Sequence, residues 1–67
     1  MIRNDEEYKT ARHYVRRLQG VLLDLRRTHP PSQYDIESRK FLLEIAHAQR
    51  EIRRYLMARE EEARRAA

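Results

Sequence analysis

Tyr8-Lys9-Thr10-Ala11-Arg12-His13-Tyr14-Val15-Arg16-Arg17-Leu18-Gln19-Gly20-Val21-Leu22-Leu23-Asp24-Leu25 places Tyr8, Ala11, Val15, Leu18, Leu22 and Leu25 at alternating spacings of three and four. Residues so spaced line up along one side of an α-helix, because each turn takes 3.6 residues. Phe41, Ile45, Ala48, Ile52 and Tyr55 repeat the pattern further on. Between the two runs stands His29-Pro30-Pro31-Ser32, the one strong break in the chain. A proline disfavours helical geometry at the residue before it, so Pro30 stops the first helix at His29. The spacing therefore predicts an all-α chain: two amphipathic helices, at about 5–28 and 33–62, folded into an antiparallel helical hairpin of coiled-coil type.

The helix ends carry their own signals. Asn4 is placed to cap the first helix, with Glu7 three residues on completing a capping box. Asp5, Glu6 and Glu7 suit the positive end of the helix dipole, and Arg26, Arg27 and His29 the negative end. Ser32 with Asp35 forms a second capping-box pattern, which predicts a second helix beginning near Gln33. Acid-before-base pairs four residues apart support both helices: Asp5 with Lys9, Asp35 with Arg39, Glu60 with Arg64 and Glu61 with Arg65. The second helix is the longer, at ~45 Å against ~36 Å for a rise of 1.5 Å per residue. Its end, residues 58–67, has almost no bulky apolar residue and is expected to fray.

Length bounds what such a hairpin can do alone. At 67 residues there is one domain, spanning 1–67. A core of that size seldom supplies more than ~3–5 kcal/mol without a staple. There are no cysteines, which removes disulfides and Cys-based zinc sites and fits a reducing, cytoplasmic setting. Association with another chain is the remaining way to complete the core. Ile36, Leu43 and Met57 fall at one heptad position on the side opposite the Phe41–Tyr55 seam, with Ala46 nearby, and mark a partner surface. The first helix has only Leu23 on its outer side. The predicted packing residues are Tyr8, Val15, Leu18, Leu22, Leu25, Phe41, Ile45, Ile52 and Tyr55, and the predicted assembly is a homodimer closing into a four-helix bundle.

Catalytic chemistry finds no foothold. Glu44-Ile45-Ala46-His47 has the Glu-x-x-His spacing used in di-metal bundles, and Glu51 continues its line. These residues flank the seam, however, and the first helix offers no buried carboxylate opposite them. Ser32 and Ser38 have structural explanations as a cap and as a small residue near the turn. With one glycine, no phosphate-cradling loop is available. Neither an enzyme nor a cofactor or metal is expected. No apolar run approaches a membrane span, so no membrane association is expected either.

Charge leaves one alternative open. The net charge is +4, and residues 1–31 carry seven Lys/Arg against four Asp/Glu, a local excess of +3. Arg12, Arg16 and Arg17 on the first helix, with Arg50, Arg53 and Arg54 on the second, are spaced to track phosphates. A small basic nucleic-acid-associated protein is therefore the second reading, although Asp24, Glu44 and Glu51 interrupt the basic surface.

The opening Met1-Ile2-Arg3-Asn4-Asp5-Glu6-Glu7-Tyr8-Lys9-Thr10, through Ile2, Asn4, Asp5, Tyr8 and Ala11, resembles the start of bacterial antitoxin-type regulators. Those proteins begin with a helical hairpin and continue into a helix-turn-helix DNA-binding domain. Gln49-Arg50-Glu51-Ile52-Arg53-Arg54-Tyr55-Leu56 is similar to the end of that hairpin's second helix, so the resemblance covers about residues 1–57. This sequence does not carry the DNA-binding residues. The resemblance thus implies only the hairpin's role: pairing protomers or holding a second protein.

Overall fold

The computed structural model describes residues 1–66. Two helices, α1 (Asp5–Thr28) and α2 (Pro31–Ala66), pack side by side in a body measuring 53 × 17 × 16 Å. A helix of 36 residues is about 54 Å long at 1.5 Å per residue. The long dimension is therefore α2 itself, with α1 lying along part of it.

Local chemistry sets the ends of α1. Asn4 is extended (φ −151°, ψ 175°), and its side-chain oxygen accepts the Glu7 N–H at 2.9 Å. The Glu7 carboxylate reaches back one residue further than a standard capping box, accepting the Arg3 N–H at 3.0 Å. At the other end His29 is extended (φ −122°, ψ 145°), as a residue before proline must be, while its N–H still closes on the Leu25 carbonyl at 3.0 Å.

The second helix departs from expectation at both ends. It begins at Pro31, two residues before Gln33, and the Ser32–Asp35 pair lies inside its first turns instead of capping it. Proline needs no hydrogen-bond acceptor and already holds a helical φ, so it serves as the first helical residue. The Pro30 carbonyl then accepts the Tyr34 N–H at 2.9 Å and starts the ladder. At the far end α2 stays helical through Ala66, past the expected limit of 62, in a segment expected to fray. Alanine, arginine and glutamate are strong helix formers, and Arg64 bridges to Glu60 at 3.1 Å, which supports the exposed residues 60–66. Ala67 lies outside the described residues.

One stripe from each helix meets along the seam. Val15, Leu18 and Ile45 are buried, with Leu22, Phe41, Ala48 and Ile52 packed against them. Tyr8 and Leu25 on α1, and Tyr55 on α2, continue the stripe half-buried. Tyr8 stacks on Tyr55 with ring centroids 5.6 Å apart, which sets the register. Counting inward equally from that stack brings Leu18 level with Ile45 and Leu25 level with Ser38. Ser38 is the most buried described residue, 2% exposed. Its hydroxyl turns to the Asp35 carbonyl of its own helix at 3.5 Å, which frees its small bulk to face Leu25. Gly20 has no such packing role, since a Cβ there would meet nothing within 4 Å.

Ser38 therefore has a size requirement more than a polar one. Ser38→Ala is expected to change hairpin stability little, whereas Ser38→Leu should overfill the seam at a cost of about 1–3 kcal/mol. Urea unfolding followed by circular dichroism measures both; an equally stable Leu variant would show that the helices do not approach closely there.

Candidate functional site

Away from the loop, a polar latch joins the start of α1 to α2. The Tyr55 hydroxyl donates to the Asp5 carboxylate, and the Arg59 guanidinium pairs with the same oxygen. Arg59 also lies over the Tyr55 ring, 5.9 Å from its centroid, and Arg12 lies over Tyr8 at 5.7 Å. The sequence paired Asp5 with Lys9 on its own helix; across the hairpin Asp5 instead meets two donors. The hydrogen bond from Tyr55 is the largest influence on Asp5, the charge of Arg59 adds to it, and together they hold the carboxyl below its usual 3.8. The same hydrogen bond holds the Tyr55 hydroxyl above 10.0, because only the protonated form can donate. On one flank the Tyr14 hydroxyl donates to Glu44 at 2.6 Å and is raised above 10.0 for the same reason.

That contact also occupies the carboxylate of the Glu44-x-x-His47 pair. His47 is exposed beside it, and among the described residues no three metal-ligating side chains converge. The elements of a metal centre are thus not brought together.

The arginines do not form one surface. Lys9, Arg12, His13 and Arg16 line a shallow depression on α1. Arg12 and Arg16 also border a groove with Gln19 and Gln49, floored by Val15 and Ile52. Arg17 belongs to the other flank, where its charge acts on the Tyr14 hydroxyl. Arg54 likewise turns to Glu51, at 3.9 Å. Arg50 and Arg53 stand exposed on the outer part of α2.

The outer face of α2 carries a row of exposed apolar residues. Ile36, Leu43 and Met57 are 69%, 72% and 57% exposed. Leu42 and Leu56 join them on one side, both exposed, and escaped the sequence reading. The signal for them was present: Leu42 and Leu56 share one heptad position, which a helical wheel sets on the flank between the inner stripe and the Leu43–Met57 row, about 100° round from that row. No comparable row exists on α1, where Leu23 is the exposed outer apolar residue and Tyr14 lies at the flank.

The latch makes stability depend on pH in two directions. Asp5, held low when folded, contributes stability above pH 3.8 that is lost as pH falls through its folded value. Tyr55 and Tyr14, held high, contribute stability below pH 10.0 that is lost as pH rises through theirs. Tyr55→Phe should therefore flatten both limbs of the stability profile relative to the parent chain, measured by urea midpoints across pH; an unchanged difference profile would rule the latch out as a contributor. Comparison with known protein families, curated proteins and solved structures finds no match to this chain.

Proposed function

We propose that this chain is a non-enzymatic interaction and oligomerisation module, a hairpin that associates with a second protomer so that four helices share one assembly. One observation carries the reading. Only Val15, Leu18 and Ile45 are buried apolar side chains among the described residues, while Ile36, Leu42, Leu43, Leu56 and Met57 stand exposed along a single helix. A two-helix layer of this size buries too little to be secure alone, and several exposed apolar residues along one helix mark a contact site. The resemblance of residues 1–57 to antitoxin-type hairpins points to the same class of role, protomer pairing or an adaptor that holds a second protein.

Replacing Leu43 and Met57 together by glutamate tests it. Each apolar side chain covered in an interface contributes about 1.5–3 kcal/mol, so the double variant should stay helical and become monomeric at concentrations where the parent associates. Light scattering across concentrations, read beside circular dichroism, checks this; an unchanged assembly mass removes the α2 face from the interface.

The alternative, a nucleic-acid-associated protein, draws on the Lys9, Arg12, His13 and Arg16 cluster. It requires duplex or single-stranded nucleic acid to bind with an affinity that falls steeply with salt, whereas an apolar assembly tolerates salt.

A further inference from the structure

Along the outer face of α2 the apolar and charged residues are arranged about a centre. Leu42 and Leu43 stand on one side of the Gln49–Arg50 step, and Leu56 and Met57 stand equally far on the other. The two apolar pairs are 14 residues apart, about 21 Å along the helix. We propose that a second copy of the chain covers this face, its α2 antiparallel to the first across a two-fold axis at Gln49–Arg50. The inference deepens the self-association reading above and rests on it.

A two-fold contact must be complementary to itself, since each residue meets its mirror position on the other copy. With the axis at that step, Leu42 faces the partner's Met57 and Leu43 faces the partner's Leu56. Ile36 faces the partner's Ala63, a small residue on the exposed tail of α2. Charges match toward the two ends, where Arg39 faces the partner's Glu60 and Asp35 faces the partner's Arg64, while at the axis Arg50 of one copy stands beside Arg50 of the other, next to the uncharged Gln49. Glu60 and Arg64 already hold each other at 3.1 Å within one chain, so each end of the contact gains a four-charge network of alternating sign. Near the centre, Arg53 lies over the partner's Ala46, where a methyl group leaves room for the guanidinium.

Other alignments lose this match. A parallel pair sets Arg39 on Arg39 and Arg53 on Arg53 of the partner, like charges at every such step. Sliding the antiparallel pair by one heptad toward the loop brings Leu42 onto the partner's Arg50 and Arg39 onto the partner's Arg53. Sliding it the other way brings Leu42 onto the partner's Arg64 and Arg53 onto the partner's Arg53. The helices α1 then lie on the outside, and the two long helices form the centre of the assembly. The exposed end of α2, residues 60–66, becomes part of the contact.

Because the chain has no cysteine, disulfide trapping reads the alignment directly. Chains carrying Ala46→Cys mixed with chains carrying Arg53→Cys should form a mixed disulfide dimer under mild oxidation. Neither variant alone should link efficiently, because like positions are offset by about 10.5 Å along the axis, beyond the ~7 Å Cα limit of a disulfide. Self-linking by Ala46→Cys alone overturns the antiparallel pairing. Charge reversal supplies a second readout that leaves the apolar residues intact. Arg39→Glu and Glu60→Arg should each weaken association by about tenfold, two bridges being lost per dimer. The Arg39→Glu/Glu60→Arg double variant should recover it, at unchanged helicity; failure to recover overturns the register. A parent chain that stays monomeric at every concentration overturns the self-association reading and this face with it. A parent dimer that gives no mixed disulfide leaves that reading standing and overturns the pairing.

Discussion

Two packed helices share a single stripe, and in this chain that stripe is narrow: Val15, Leu18 and Ile45 are its buried apolar centre, with half-buried residues on either side. The rest of the architecture follows from that constraint. Because the apolar seam alone is thin, polar and aromatic contacts take up part of the work of holding α1 to α2. The stack of Tyr8 on Tyr55 and the convergence of Tyr55 and Arg59 on Asp5 act at the end remote from the loop. Thus the two-proline turn ties one end of the hairpin covalently, and a solvent-exposed latch ties the other. A latch of that kind is sensitive to protonation in a way that a hydrophobic contact is not.

The seam was legible in the sequence because its signal is periodic and apolar. Where the stripe changes chemistry, legibility ends. Ser38 and Tyr34 continue the three-four spacing toward the loop, yet a serine at a seam position reads as a turn or surface residue until the register sets it against Leu25. The second helix start was misread for a related reason. Ser-x-x-Asp next to an apolar run has the form of a capping box, but Pro31 had already fixed a helical φ and needed no cap. In both places a local pattern competed with a constraint that acts over the same few residues, and the constraint won.

The candidate surface divides in the same way. Ile36, Leu43 and Met57 share one heptad position and were visible as a row. Leu42 and Leu56 share a second position about 100° round the helix, toward the inner stripe, and widen that row, which needs the wheel and not the row alone. The latch was invisible: Asp5 and Arg59 are 54 residues apart, and the near neighbour Lys9 offered a sufficient local partner. Likewise the arginines looked like two clusters because they are close in sequence. Consecutive residues on a helix diverge by about 100°, so Arg16 and Arg17 serve opposite flanks, as do Arg53 and Arg54.

Two kinds of surface therefore run the length of α2, and they differ in what they can specify. The inner stripe requires size and spacing, which any coiled-coil partner of the right period could meet. The outer face mixes leucines with Arg39, Arg53, Glu60 and Arg64, so apolar burial alone would leave its alignment loose. Charges at an interface add little affinity in water, but they penalise every misaligned register in which like meets like. A face that is apolar in two patches and charged between and beyond them is suited to one alignment over many. For a hairpin whose own core is thin, that selectivity matters more than additional sticking area. In the proposed pairing the exposed leucines are covered by a second copy, while unmatched surfaces, which would bury the same apolar area against unpaired arginines, are disfavoured.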